Sequence, residues 1–351
     1  MRGPRASPTS PRSEALSGAS ELEFCPWHNS APPRRRVDPG AIRQEVERAV
    51  RLASGSTTPA TSAGSGASPR SSPTSPRSLL AATPGGRRRA LLVGINYRSL
   101  GSGYALSGCI NDVKGMRDLL VGTFGFRASE ITLMTDDAKV TPSLSLRPTG
   151  GNIRAQLSAL LQGLGAGDLA VFHYSGHGLQ VRDNNGDEKD GRDEAIFTLD
   201  RVVVRDDDIR GLIAAAASRG VRLRMFMDSC HSGTVADLPW MLQADNTISQ
   251  RGGGAALDGD VVLVSGSGDL QTSADTSFGG VPQGAMTAML RRTLQVASAP
   301  AVLAGGTVKA YTWADVVLGV RRLLADGRYS QVPVLSAASR AGLTANMDLR
   351  G

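Results

Sequence analysis

The chain carries three cysteines in 351 residues, too few and too widely spaced for a disulfide framework. That usage fits a reducing compartment, and a cytoplasmic location is the expectation. No run of eighteen apolar residues occurs, so no membrane span is expected. The N-terminus is basic, but no apolar segment follows it, which argues against a secretory signal; the Ser- and Arg-rich, acid-poor opening has only a weak likeness to a transit peptide. Cys25 and His28 of "CPWH" make half of a zinc pattern, and no second pair follows. No internal repeat with a 20–50-residue period is evident.

Acidic residues are scarce in one part of the chain alone. Residues 1–90 hold fourteen Arg and no Lys against six Asp or Glu, so the whole-chain charge of +7 belongs there and the remainder is nearly balanced. Residues 1–88 are dominated by Ser, Pro, Arg, Gly and Ala, as in "ASPRSSPTSPRS". Such a segment has too little apolar surface to offset its chain entropy, so a mostly disordered tail is expected. Within it, residues 39–54 place Ile42, Val46, Ala49, Val50 and Ala53 at the spacing of a short amphipathic helix. Arg34–Arg36 and Arg87–Arg89 are its densest basic runs. They could meet nucleic acid or an anionic membrane, but a solvated basic linker is the commoner state of such runs, and no nucleic-acid partner is expected.

From Arg89 onward the pattern becomes that of a folded domain. "RALLVGINY", "EITLMTD", "DLAVFHYSG", "VRLRMFMDS", "DVVLVSGS" and "QVPVLSA" read as strands. "DVKGMRDLLVGTFG", "NIRAQLSALLQGL", "DDDIRGLIAAAASRG", "GAMTAMLRRTLQVA" and "TWADVVLGVRRLLA" read as helices between them. Strands and helices in this alternation predict an α/β fold, a mainly parallel central sheet with helices on both faces.

In such sheets, sites form at the carboxyl ends of strands. His177 of "HYSGHG" and Cys230 of "DSCHSGT" each lie just past a strand end, and can project into one crevice. A thiol nucleophile, an imidazole base and backbone N–H groups near Gly178 and Cys230 would supply the parts of acyl transfer. His231, adjacent to Cys230, is the poorer base because neighbouring residues on an extended chain point in opposite directions. Taken singly, either residue is more commonly structural; their convergence at adjacent strand ends favours catalysis.

The two motifs, in this order and about fifty residues apart, resemble the histidine and cysteine motifs of the metacaspases, caspase-like cysteine proteases. The resemblance extends through "GCINDV", "DDDI", "LVSGSGDLQTSAD", "GAMTAML" and "YSQVPVLS", and is of type I. It implies a caspase-like fold for the peptidase domain at 89–351, with a p20-like part at 89–240, a linker at 241–258 and a p10-like part at 259–351, working as a monomer. It also implies cleavage of polypeptides after Arg or Lys. By similarity the pocket for that side chain comprises Cys109, Asp112, Ser175 and Asp228. Asp228 supports this independently, since it stands two residues before Cys230 on the same face of the strand end, where a carboxylate would attract a guanidinium. For Asp112, the first turn of a helix is an equally compatible role.

The resemblance further implies Ca²⁺ as cofactor, with ligands at Asp193, Asp206, Asp207 and Asp237. "RDNNGDEKDGRDE" is only superficially an EF-hand: position six is Glu188 instead of Gly, and no helix clearly precedes it. Self-cleavage is expected at exposed basic positions, notably Arg251 in the Gly-rich "SQRGGGA". Two other functions fit the chain less well: a non-proteolytic adaptor or aggregate-binding role through the tail, and a caspase-clan protease of different preference.

Overall fold

The computed structural model describes residues 86–350, apart from 183–191, 231–235, 252–256, 258, 267–274, 279–280, 300 and 303–307. The helix expected over 39–54, His231, and most of the acidic stretch after Arg182 lie outside the described residues.

The apolar run at Ala90–Gly94 is buried on both faces, as suits an inner strand of a covered parallel sheet. It lies in β1 (Arg88–Gly94), followed by α1 (Cys109–Gly122), β2 (Ile131–Thr135), α2 (Gly150–Leu161) and β3 (Leu169–Ser175). A hairpin of β4 (Gly178–Arg182) and β5 (Arg192–Phe197) comes next, with β6 (Val203–Arg205) beside β5, and then α3 (Asp206–Ala217) and β7 (Arg222–Asp228). The second half contains β8 (Trp240–Leu242), β9 (Ile248–Gln250), β10 (Asp260–Ser265), β11 (Asp275–Phe278), β12 (Val281–Gly284) and α4 (Ala285–Ala297). It continues with the pair β13 (Ala301–Val302) and β14 (Val308–Lys309), then α5 (Trp313–Asp326), β15 (Val334–Ala337) and α6 (Arg340–Leu343).

The main sheet has the order β2-β1-β3-β7-β10-β15-β8-β9. The five strands from β2 to β10 are mutually parallel, whereas β15, β8 and β9 each run antiparallel to the preceding neighbour. Two long helices, α4 and α5, separate β10 from β15. The chain therefore re-enters the sheet from the opposite end. Alternate strand residues serve two cores. Leu91 and Val93 pack with Ile153, Leu157, Ile209 and Ile213 of α2 and α3, while Ala90 and Leu92 pack with Val113, Met116, Leu290 and Val316 of α1, α4 and α5.

Local signals in the sequence set several helix starts. Thr149 accepts a hydrogen bond from Asn152 N–H at 3.3 Å and caps α2. Thr312 and Asp315 form a capping box at α5. The stretch 241–258, which the resemblance gave as a linker, carries the last residues of β8 and all of β9, two edge strands of the main sheet.

Arg87–Arg89 are built into the fold. Arg87 pairs with Asp168 at 3.0 Å. Arg88 pairs with Glu130 at 3.2 Å and lies over the Phe126 ring. Arg89 donates to the carbonyls of Ala159 and Gln162 near the end of α2, both at 2.9 Å. These arginines satisfy orphan carbonyls and carboxylates of the domain.

Candidate active site

Strands β3 and β7 are adjacent and parallel, and their register ends with Ser175 opposite Asp228. His177 and Cys230 each follow two residues later, so the register carries both past the same edge of the sheet. Gly178 is needed for space: a Cβ there would collide with the Cys230 carbonyl oxygen. Neither Gly176 nor Gly178 has a positive φ, so the demand is close approach and not an unusual turn.

Cys230 is buried, and His177 is 5% exposed. His177 Nε2 lies 2.8 Å from the carbonyl oxygen of Tyr104. A carbonyl can only accept, so the proton resides on Nε2 and Nδ1 keeps the lone pair of a base. Two buried tyrosines hold the backbone of the same residue. Tyr97 Oη accepts from His177 N–H at 3.1 Å and donates to Phe197 O at 2.6 Å. Tyr174 Oη is 2.9 Å from Tyr97 Oη and donates to His177 O at 2.7 Å. The Tyr97 ring also packs against the imidazole, centroids 4.7 Å apart. Burial raises both phenols well above their ordinary pKa, so they act as neutral hydrogen-bonding groups. Neither tyrosine was singled out by sequence reasoning, although "GINY" and "HYSGHG" carry them.

The four pocket residues expected from the sequence include two acids that converge. Asp112 is fully buried in the first turn of α1, but it does not cap that helix: Gly108 is the N-cap. Instead it accepts from Ser175 Oγ at 2.8 Å and from Gly284 N–H at 2.9 and 3.0 Å to its two oxygens. Asp228 accepts from Thr287 N–H at 2.9 Å, at the N-terminus of α4, where the helix dipole favours an anion. A Cβ on Gly284 would meet a carboxylate oxygen of each aspartate, so Asp112 and Asp228 flank one glycine. Cys109 is buried at the start of α1, its carbonyl pressed against Gly94. Gly284 and Thr287, from the "GAMTAML" segment, join the same cluster through their backbone N–H groups.

Of the four expected metal ligands, three lie together: carboxylate oxygens of Asp193, Asp206 and Asp207 are all within 4.8 Å of one another. The Asp206 carboxyl is pushed up to about 8, first by burial and then by the nearby charges of Asp237, Glu194 and Asp193, against a backbone N–H that lowers it. Asp237 is thus close enough to bear on Asp206, but its carboxylate has another partner, Arg251 Nη1 at 3.6 Å. Asp193 likewise pairs with Arg205 at 2.6 Å. Hard, mutually repelling oxygens on separate segments fit a divalent cation such as Ca²⁺. Glu194, the last residue of the EF-hand-like stretch, lies in β5 and gives its N–H to Asp206 at 3.1 Å. Arg251 follows directly on β9, and its N–H is held by Pro239 O at 2.7 Å. The expected cleavage point is therefore tied at both backbone and side chain.

Residues 88–239 match the family model described as metacaspase, peptidase C14 domain. Metacaspase-1 of Arabidopsis thaliana is 42% identical over 207 residues, covering 55% of this chain, and the chain spans only 55% of that relative's length. Metacaspase-1B of Aspergillus oryzae is 33% identical over 302 residues, 72% of this chain and 68% of the relative. A solved protein from Geobacter sulfurreducens superposes with a TM-score of 0.50 at 23% identity, over 74% of this chain and 97% of that one, a likeness of fold. With the His177 and Cys230 motifs at neighbouring strand ends and one relative matched along two thirds of its length, the chain belongs to the metacaspase family.

Proposed function

We propose that the chain is a cysteine endopeptidase that cleaves polypeptides after Arg or Lys and is activated by Ca²⁺. The observation that carries the preference is the pair of buried carboxylates, Asp112 and Asp228, that flank Gly284, with Asp228 two residues before Cys230. Two anions in a partly desolvated pocket suit a guanidinium or ammonium and repel an acidic side chain.

The chemistry follows from the protonation state of His177. Nδ1 takes the proton from Cys230 Sγ, and the thiolate attacks the carbonyl carbon of the scissile bond. Backbone N–H groups at Gly178 and Cys230 are suited to the oxyanion that forms. As the tetrahedral adduct collapses, the C–N bond breaks and the amine leaves with the proton from His177. Water, deprotonated by the same imidazole, then hydrolyses the thioester and restores the thiol. Tyr104 O keeps Nε2–H fixed throughout.

Bound Ca²⁺ would neutralise Asp193, Asp206 and Asp207 and draw the segment of Asp237, seven residues after Cys230, toward them. Asp237 would then exchange Arg251 for the ion, and the released Arg251 becomes a site of self-cleavage. A cytoplasmic monomer is part of the same reading. No helix among the described residues is long and apolar enough to cross a membrane.

The test is hydrolysis of fluorogenic peptides ending in Arg, Lys or Asp, with calcium chloride or with chelator. Cleavage after Arg and Lys alone, dependent on calcium, is expected. Preference for Asp, or full activity in chelator, would defeat the corresponding half of the reading.

A further inference from the structure

Arg291 on α4 is a half-buried cation that the dyad and pocket leave unused. Its guanidinium lies across α1 at Gly115, where a Cβ would collide with Arg291 Cζ and Nη1. Gly115 is three residues from Asp112, a spacing that puts the two on one side of the helix. From the other direction, Arg291 Nη1 donates to Gln283 Oε1 at 3.2 Å. The next residue, Gly284, donates its N–H to Asp112. Arg291 Nε is buried without a hydrogen-bond partner, and among the described residues Arg291 makes no direct ion pair. One cation, committed to no carboxylate, thus lies beneath the wall that holds two.

Two carboxylates gathered around one glycine repel each other, and a like-charge pair holds a proton more tightly than a lone carboxylate does. Donors from Ser175, Gly284 and Thr287 counter this in part. The charged and titratable groups around the pair can be named by element. From α1 come Cys109 and Asp112, with Lys114 turned about half a circle away from Asp112 and Arg117 and Asp118 farther along; from β3, His173 and Ser175; from β7, Asp228; from β12, the neutral Gln283; and from α4, Arg291 and Arg292. Burial lowers His173 to about 4, so it is uncharged at neutral pH. Arg292 is directed to Met289 Sδ at 3.6 Å. That leaves Arg291 as the positive charge on the pocket side among the described residues. Burial lowers its own pKa, and Asp112 is the foremost group opposing that shift.

We infer that Arg291 is a specificity-determining residue: it keeps Asp112 and Asp228 both ionised at neutral pH and sets the pocket to one net negative charge, the complement of a single P1 cation. The inference rests on the proposed preference for Arg and Lys. Without Arg291, a proton and the P1 cation compete for the same two carboxylates.

The experiment measures KM and kcat separately for a fluorogenic Arg peptide between pH 5.5 and 8.5, in saturating calcium chloride, for the wild type, R291Q and R291K. The wild-type KM should stay flat. In R291Q it should fall below the wild type at the alkaline end, where the doubly charged pocket is unopposed. Toward pH 6 it should climb severalfold, as a proton shared by the two carboxylates competes with the P1 cation. The two curves therefore cross, R291K restores the flat profile, and the pH dependence of kcat, set by the dyad, is common to all three. R291M, whose thioether fills the same groove over Gly115, carries the same expectation if R291Q does not fold. Parallel KM profiles, or a loss of kcat alone, overturn the inference. A wild type that does not cleave after Arg overturns the proposed preference instead.

Discussion

Tyr97→Phe removes one oxygen from beneath His177 and leaves the ring in place. In the native fold that oxygen accepts from His177 N–H at 3.1 Å and donates to Phe197 O at 2.6 Å. Phe197 O keeps the Tyr174 hydroxyl at 3.1 Å, but His177 N–H loses the acceptor it has in Tyr97, in a fully buried setting. An orphaned buried donor costs about 1–3 kcal/mol. A domain of this size shifts by about 2–4 °C per kcal/mol, so melting should fall by roughly 2–12 °C. The ring contact at 4.7 Å survives, so the loss reaches the imidazole through its own backbone. Displacement of a reacting group by about 1 Å can cost on the order of a hundredfold in rate. A fall in kcat of about tenfold or more is expected, with KM for an Arg peptide unchanged because Asp112 and Asp228 lie outside this clamp. Scanning calorimetry, steady-state kinetics and the rate of Cys230 alkylation across pH read the three effects. Melting and kcat both at wild-type values would refute the clamp. Lower melting with wild-type kcat and alkylation would show that Tyr97 only supports the fold.

Cys230→Ala and His177→Ala should each remove nearly all peptidase activity, whereas His231→Ala should retain much of it; equal losses from the two histidines would defeat the assignment of the base. Asp112→Asn should lower kcat/KM for Arg peptides by about 2–5 kcal/mol, the usual cost of unpairing a desolvated charge, and an unchanged value in a folded variant would place the pocket elsewhere. The Asp206 carboxyl, raised to about 8 chiefly by burial, holds a proton in the folded state that the unfolded chain releases near its ordinary value of about 4. Stability in chelator should therefore fall as pH rises between those limits, and calcium chloride should raise the urea midpoint most at the alkaline end. A midpoint that climbs with pH in chelator contradicts this. Arg251→Gln, which frees Asp237 from its ion pair at 3.6 Å, should tighten calcium binding measured by calorimetry and abolish any cleavage at that bond. Affinity equal to the wild type would show that Arg251 does not compete with the ion.

Much of the central sheet was legible in the sequence because its strands are short apolar runs and its helices have a 3.6-residue stripe. "RALLVG", "LAVFHYS" and "RLRMFMD" are buried on both faces, which periodicity alone registers. The placement of His177 and Cys230 at neighbouring strand ends was legible for a related reason: two chemically distinctive residues each follow such a run. The edge strands β8 and β9 were not, since each is only three residues long, too short for a period to show, and β9 exposes Ile248 and Gln250. Nor was the antiparallel direction of β15, which depends on two helices intervening and not on its own residues.

The sequence by itself determined which side chains are available: a thiol, an imidazole, the aspartates and the glycines between them. Only the tertiary structure decided their pairings. Residues 112, 228 and 284 meet although they are far apart in the chain, because α1, β7 and the start of α4 converge at one end of the sheet. Arg87–Arg89 look like part of a basic tail until the carbonyls of α2 and the carboxylates of Asp168 and Glu130 are placed beside them. Tyr97 and Tyr174 are ordinary core aromatics by composition, and become partners of His177 only when β1 and β3 lie in register. Hydrogen bonds and ion pairs act over a few ångströms, and distances of that kind between remote residues are set by packing, which no local pattern encodes.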